Sequence, residues 1–207
     1  MVERAVVGRV AKALAFVLCL VPFAWLLWRV AVNDLGTNPI ETLNRYTGDW
    51  TLRFLLITLA VTPLRRLTGW LWLARWRRMI GLYAFFYATV HFLTYALIDQ
   101  FFDFPAILQD IAKRPYITLG FACFVLLIPL AATSTNAMVR RLGGQRWQRL
   151  HRLVYVIAIG GVIHFLWLVK SDIREPLIYA AILTVLLGHR LYYRWRRNAV
   201  AAGVVTR

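Results

Sequence analysis

The chain contains 207 residues, of which 60% are hydrophobic and only 16% are charged, and its mean hydropathy is +0.60. Soluble domains carry about 45–50% apolar and about 25% charged residues, so this composition excludes an ordinary water-soluble domain. Lys and Arg outnumber Asp and Glu by 25 to 9, which gives a net charge of +16. The basic residues stand between long apolar runs, as membrane flanks do, and this placement argues against nucleic-acid binding.

Six segments are apolar and long enough to cross a bilayer as helices, which takes about 20 residues. In chain order they are approximately residues 12–32, 50–67, 79–98, 115–133, 152–169 and 176–193. The polar stretches between them are short. The sequence therefore predicts an all-α integral membrane protein in which residues 1–207 form a single domain, a bundle of six transmembrane helices. The bulky run Trp25–Trp28 favours an uncleaved first span over a secretory signal peptide.

The distribution of charge predicts how the bundle is oriented. Eighteen of the 25 Lys and Arg residues lie at one set of helix ends, together with one acidic residue, Glu3, whereas the other ends carry seven basic and eight acidic residues. Short cytoplasmic loops retain positive charge, so the basic face and both termini are predicted to be cytoplasmic. In a bacterium the protein would lie in the inner membrane, in contact with lipid, with longer periplasmic loops at Asn38-Pro39 and Phe101–Pro105.

Two histidines are predicted deep in the membrane, where ionisable side chains are costly and are therefore functional candidates. His91 lies 13 residues beyond Arg78, and His164 lies 12 residues beyond Arg152. At a rise of 1.5 Å per residue, they lie about 20 and about 18 Å from the same membrane face. Imidazoles at equal depth on two helices can ligate a haem iron from opposite faces, and this role is predicted for His91 and His164. A hydrogen bond to a neighbouring helix is the alternative for either residue.

His151 lies at the cytoplasmic mouth of the fifth span, 13 residues before His164. That spacing, about 20 Å along the helix axis, suits two stacked haems. On a straight helix, however, the two side chains would point in directions about 140° apart. Arg77 or Arg78 occupies the position expected to oppose His151 on the third span. Three roles stay open for His151: a haem ligand with an unidentified partner, a contact to a flavin or a haem propionate, or an interfacial residue.

Two arginine-rich loops lie near the mouths of the third and fifth spans. Membrane topology and contact with acidic lipid explain most of these residues. A guanidinium also binds phosphate bidentately, so a flavin phosphate or a haem propionate is a further predicted ligand of this cluster. Its members are Arg77, Arg78, Arg146, Arg149 and Arg152. The sequence contains no GxGxxG, P-loop, HExxH or GxSxG motif and no carboxylate pair within a span, so no catalytic residue is predicted.

Several stretches resemble one family of membrane proteins. They are Arg78-Met79-Ile80-Gly81-Leu82 before His91, Gly144–Tyr155 before His164, Thr62-Pro63-Leu64-Arg65 and Thr133-Ser134-Thr135-Asn136, within a similarity that covers nearly the whole chain. They resemble the MsrQ family, formerly YedZ, the haem-binding membrane subunits of bacterial periplasmic methionine sulfoxide reductase systems. That family belongs to the ferric-reductase-like transmembrane domains, whose larger members ligate haem with histidines on spans three and five.

The resemblance implies b-type haem, bound FMN and electron transfer to MsrP, a periplasmic molybdopterin enzyme that reduces methionine sulfoxide in proteins. It also implies that His91, His151 and His164 occupy the positions associated with haem. Larger relatives carry two histidines on each helix, whereas span three has one here, so the number of haems stays open. Because their soluble NAD(P)H and FAD domain is not found in this sequence, the expected electron donor is quinol or a separate cytoplasmic flavin reductase.

Two other functions stay open at this point. A channel or transporter could use intramembrane histidines as a proton relay. A quinone-linked cytochrome b of another family would carry two haems. In the leading hypothesis the chain transfers electrons, and catalysis on the substrate takes place on the partner protein.

Overall fold

The computed structural model describes residues 2–169 and 172–201, and the side chains of residues 10–169 and 172–200. In these ranges the chain is helical and has no strand, which confirms the predicted all-α class. The α-helices are α1 (Val2–Ala31), α2 (Pro39–Thr68), α3 (Leu73–Leu93), α4 (Phe104–Lys113), α5 (Pro115–Ala132), α6 (Asn136–Leu142), α7 (Gly144–His151), α8 (Leu153–Leu168) and α9 (Arg174–Ala201). A π-helical segment, Thr94–Asp99, continues α3.

Four helical stretches are long and apolar enough to cross a membrane. They are Val10–Ala31, Leu73–Asp99, Pro115–Ala132 and Gly144–Leu168, and they contain most or all of the first, third, fourth and fifth predicted spans. The second and sixth predicted spans lie within α2 and α9, which are 30 and 28 residues long but more polar. The count of six spans therefore stays a prediction.

The second predicted loop is shorter than the sequence suggested, because a helix begins inside it. Asp103 accepts a hydrogen bond from the backbone N–H of Ala106 at 3.0 Å and caps α4. Pro105 lies in the first turn of that helix, where its missing N–H costs nothing. The prediction of a loop over Phe101–Pro105 is thus correct only up to the capping residue.

Helices α2, α3, α5 and α8 form a closed ring in which each helix packs on two others of the set. Tyr87 and Ile157 lie in the main apolar cluster of this ring, and Leu59 and Ala158 lie in a second cluster that joins α2 and α8 to α9. The ring places α3 opposite α8. These are the two helices that carry His91 and His164.

A fully buried tyrosine of α3 joins α1 to this ring at the proline of α1. The Tyr87 hydroxyl accepts a hydrogen bond from the N–H of Phe23 at 3.1 Å and donates one to the C=O of Cys19 at 2.9 Å. A regular helix would join that N–H and that C=O directly to each other. Pro22 lies between them, and the hydroxyl supplies partners for backbone groups that lipid cannot satisfy. Tyr46 donates to the C=O of Pro22 in the same region.

Replacing Tyr87 with Phe should therefore destabilise the protein. The change keeps the ring but leaves one N–H and one C=O of α1 without the partner described above, which costs about 1–3 kcal/mol. Unfolding of the purified protein in detergent measures the loss. Tyr192→Phe is the matched control, because Tyr192 is 54% exposed. Equal stability of the Tyr87→Phe and Tyr192→Phe variants would contradict the bridging role.

Candidate functional site

One cavity in the helix ring contains the two deep histidines, and we call it the histidine cavity. It lies between α2, α3, α5 and α8, has a volume of about 270 Å³ and is lined mainly by apolar side chains together with His91 and His164. It reaches the acidic helix ends, where Asp49 and Arg114 line it. The carboxylate of Asp110 lies 3.1 Å from Arg114 and raises the pKa of its guanidinium above the ordinary value.

His91 and His164 face each other across this cavity. Their ring centroids lie 6.4 Å apart and their ring planes are inclined at 74°. A direct N–H···N hydrogen bond of about 2.9 Å, with about 1.2 Å from each nitrogen to its ring centre, would place the centroids about 5.3 Å apart. Two metal–nitrogen bonds of about 2.0 Å in line would place them about 6.4 Å apart. The observed spacing therefore fits one metal ion between the rings and is too long for a direct hydrogen bond.

Both rings are held through the same nitrogen. The Nδ1–H of His91 donates to the backbone C=O of Asn44 at 3.0 Å, and the Nδ1–H of His164 donates to the backbone C=O of Tyr116 at 2.6 Å. A carbonyl only accepts, so the proton is on Nδ1 and the Nε2 lone pair is free. No hydrogen bond joins Nε2 of either ring to a residue in the described part of the chain. Histidines that bind metals are oriented in this way.

A glycine makes room for each ring. A Cβ atom built on Gly120 would lie 2.8 Å from Cε1 and Nδ1 of His164, and one built on Gly48 would lie 3.2 Å from Cε1 of His91. Each glycine comes four residues after the residue whose carbonyl holds the ring, Tyr116 or Asn44. Helical side chains lean toward the preceding turn, so a side chain at 120 or 48 would cover that carbonyl. The two glycines expose the acceptors and admit the imidazoles.

The histidine pair does not form a complete metal site from protein side chains alone. Among the residues that the structure describes, no group of three His, Cys, Asp or Glu side chains is close enough to hold a metal ion. A metal between two imidazoles needs its other ligands from another molecule. A macrocycle such as a haem supplies them. The Asn44 side-chain oxygen, buried in the cavity wall without a hydrogen-bond partner among the described residues, is a further polar atom that a ligand could meet.

His151 lies in the second cavity, away from the other two histidines. It ends α7, and a one-residue interruption at Arg152, whose backbone stays in the right-handed helical region, separates it from α8, the helix that carries His164. Its Nδ1–H donates to the C=O of Trp147 at 3.0 Å, and its ring stacks on the Trp147 ring at 3.8 Å. Its Nε2 lies 3.4 Å from the Ser134 hydroxyl. The remaining histidine, His189, lines neither cavity.

This second cavity, which we call the arginine cavity, has a volume of about 540 Å³. Its cationic lining residues are Arg77, Arg78, Arg152 and Arg190. The sequence analysis grouped Arg77, Arg78 and Arg152 with Arg146 and Arg149. The last two are exposed and do not line the arginine cavity. Leu55 and Leu127 line both cavities and thus lie between them.

Sequence reasoning missed several residues of these sites. The acceptors at Asn44 and Tyr116 act through backbone carbonyls, which no side-chain pattern reveals. Gly48 and Gly120 carry a signal only when the partner helix is known. Arg190 is one of the eighteen basic residues at the basic helix ends, and the charge count alone does not set it apart. Its position in Gly188-His189-Arg190, at the end of an apolar segment, is a signal that could have indicated a buried cation.

Comparisons with known proteins show the family to which the chain belongs. The chain matches the family described as "Ferric reductase like transmembrane component" over residues 47–162, more than half of its length. The matched range contains His91 and most of the lining of the histidine cavity, but not Asn44 or His164. The fold and the site thus define a member of the ferric-reductase-like transmembrane proteins.

Individual relatives narrow the assignment. The chain is 54% identical over 190 residues to "Protein-methionine-sulfoxide reductase heme-binding subunit MsrQ" of Herminiimonas arsenicoxydans, covering 91% of this chain and 87% of the relative. It is 55% identical over 202 residues to the protein of that name from Ralstonia nicotianae, and the aligned residues cover 95% of this chain and 93% of the relative. It is 54% identical over 196 residues to the protein of that name from Rhodospirillum rubrum, and the aligned residues cover 95% of this chain and 93% of the relative. The chain belongs to the MsrQ family.

The glycine contacts generate a prediction about packing. Gly120→Ala should destabilise the protein by about 1–3 kcal/mol, because the new methyl group overlaps the His164 ring and displaces it from the Tyr116 carbonyl. Gly48→Ala should cost less, since its Cβ lies farther from His91. Unfolding in detergent measures both changes. Gly188→Ala is the control, because a Cβ there meets nothing within 4 Å; a Gly120→Ala variant as stable as this control would refute the close contact.

Proposed function

We propose that this chain is the haem-binding membrane subunit of a methionine sulfoxide reductase system, and that it transfers electrons across the membrane to a periplasmic reductase. One haem b would be held between His91 and His164. The observation that carries the proposal is the opposed pair of imidazoles at 6.4 Å, each with Nδ1–H bound to a backbone carbonyl. The names of the relatives, which describe heme-binding subunits, support it.

The residues around the pair would set the properties of the site. When bound, haem supplies reversible one-electron chemistry at its iron. Asn44 and Tyr116 hold each imidazole in the tautomer whose Nε2 can bind a metal. The apolar walls, among them Phe92, Phe124 and Leu127, keep water away from the two rings. Low polarity and solvent exclusion tune a metal potential, so these residues act on electron transfer without contributing a ligand.

For the topology we propose six spans, with α2 and α9 as the second and sixth, and both termini in the cytoplasm of a bacterium whose inner membrane holds the protein. In this arrangement residues 1–207 form one domain. The ion pairs in the described part of the chain lie at the acidic helix ends, where Arg45–Glu175, Arg53–Asp49 and Arg114–Asp110 are examples. No ion pair among the described residues lies at the basic ends, a charge balance typical of cytoplasmic loops.

The reductase partner would be an MsrP-type periplasmic molybdopterin enzyme. The histidine cavity reaches the acidic ends of the helices, which would place it on the side of that partner. Electrons would enter at the opposite, cytoplasmic side, from quinol or from a separate cytoplasmic flavin reductase. Catalysis on methionine sulfoxide would belong to the partner, because the sequence has no catalytic motif of its own.

The arginine cavity would hold FMN. Arg77, Arg78 and Arg152 line it and can bind a phosphate, and the stacked rings of Trp147 and His151 form part of its wall. His151 would then contact the flavin. A second bis-histidine haem is less well supported, since among the described residues no other histidine lines this cavity.

Histidine variants test the haem site. His91→Ala and His164→Ala should each abolish the low-spin haem spectrum, because each would remove one of the two histidines proposed to hold the iron. Optical spectra and pyridine haemochrome analysis of the purified protein measure this. His189→Ala is the control, since His189 lines neither cavity. A normal Soret band and unchanged haem content in either the His91 or the His164 variant would refute the pairing. Colourless wild-type protein would favour the proton relay. Two haems per chain would favour a dihaem cytochrome.

Reporter fusions test the topology. Green fluorescent protein fused to the C-terminus should fluoresce, because this reporter folds in the cytoplasm and fails to fold when it is exported unfolded. Alkaline phosphatase inserted at Gly36, between α1 and α2, should be active, because it requires the oxidising periplasm. The reverse pattern of the two reporters would show the opposite orientation, and a dark C-terminal fusion with an active insertion at Gly36 would show an odd number of spans.

A further inference from the structure

Arg190 of α9 is a partly buried cation whose described hydrogen-bond partners are all neutral. Its Nη1 donates to the Tyr155 hydroxyl at 2.9 Å and its Nη2 to the C=O of Leu59 at 2.7 Å. Leu59 comes four residues before Pro63, which has no N–H, so the helix leaves this carbonyl open to Arg190. The guanidinium also lies over the Tyr155 ring, 5.2 Å from its centroid.

No described acidic side chain compensates the charge of Arg190. The chain has nine Asp and Glu residues, and the eight whose side chains the structure describes belong to the acidic helix ends. None of the eight lines the arginine cavity, whereas four arginines do. The Nε of Arg190 is buried and has no hydrogen-bond partner in the described residues. A guanidinium with poor access to water is costly unless an anion accompanies it.

The histidine cavity shows the opposite balance. Arg114, which lines it, lies 3.1 Å from Asp110, and Arg45, which also lines it, lies 3.6 Å from Glu175. Arg114 and Arg45 at the histidine cavity are thus paired with carboxylates, whereas four arginines line the arginine cavity and no described carboxylate does. Four cations around one cavity favour a ligand with two negative charges. A phosphate monoester has close to two, whereas the phosphodiester of a common membrane lipid has one.

We propose that Arg190, together with Arg77, Arg78 and Arg152, binds a phosphate monoester carried by the ligand of the arginine cavity. This inference rests on the proposed flavin site and adds to it the residue that anchors the phosphate. Arg190 is suited to this role because Tyr155 and Leu59 already hold its guanidinium in place. Loss of one charge-assisted hydrogen bond of this kind lowers affinity about tenfold or more.

The test compares two probes that share one ring system and differ in the phosphate. FMN and riboflavin are titrated into the detergent-solubilised full chain after removal of flavin, and binding is followed by quenching of flavin fluorescence. Wild-type protein should bind FMN more tightly than riboflavin, and inorganic phosphate should compete with FMN. Arg190→Gln should weaken FMN binding about tenfold or more and leave riboflavin binding unchanged.

Two further variants separate binding from folding. Arg194→Gln, one turn further along α9, removes an exposed charge and should leave both affinities unchanged. Arg190→Lys keeps the charge and should retain part of the preference for FMN, even if the glutamine variant does not fold. A purely structural role for Arg190 would lower stability and weaken FMN and riboflavin equally, or neither.

The outcomes distinguish the inference from the function on which it rests. If wild-type protein prefers FMN and both Arg190 variants keep that preference in full, the role of Arg190 is refuted and the flavin site stands. If wild-type protein binds neither probe, the proposed flavin site is refuted and the phosphate site with it. If wild-type protein binds both probes equally, the phosphate site is refuted and the flavin site stands. Stoichiometric phospholipid that is lost in Arg190→Gln without any change in FMN binding would assign the residue to a lipid headgroup and overturn the inference.

Discussion

The site depends on one repeated interaction, the hydrogen bond from a histidine Nδ1–H to a backbone carbonyl of a neighbouring helix. His91 uses the carbonyl of Asn44 on α2, and His164 uses that of Tyr116 on α5. In both cases the residue four positions later is a glycine in contact with the ring. Backbone atoms of packed helices move little, so they orient the rings more firmly than flexible side chains would. A carbonyl also adds no net charge to an interior in which an ionised partner would be costly.

The depth of the two histidines could be predicted from the sequence, because helical rise and the positions of the flanking arginines are both regular. Their direction could not, since it depends on which helices become neighbours. Gly48 and Gly120 show this limit clearly: each matters through contact with a ring more than 40 residues away in sequence. His151 shows a second limit, because the hydrophobic pattern does not reveal the one-residue interruption at Arg152 that lies between His151 and α8.

The two ends of the bundle manage charge in different ways. At the acidic ends, arginines such as Arg45 and Arg114 lie within 4 Å of carboxylates, so the mouth of the histidine cavity is close to neutral. At the basic ends the described side chains include no carboxylate, so the arginine cavity carries a positive field. Clefts with charge of one sign attract ligands of the other. The charge asymmetry from which the orientation is predicted thus also surrounds one cavity with cations. Counting charges in the sequence detects the asymmetry but not the cavity.

Arg190 connects the backbone requirements of a membrane helix with ligand binding. Pro63 would leave the carbonyl of Leu59 unpaired in an apolar surrounding, and the guanidinium donates to it. A guanidinium has five N–H groups; Tyr155 and Leu59 accept from two, which leaves three, including the buried Nε. A cation already held by neutral partners loses little freedom when an anion binds, and a preorganised donor binds more tightly than a mobile one. Pro63 in α2 thus leaves free the carbonyl that holds the guanidinium of Arg190 at the wall of the arginine cavity.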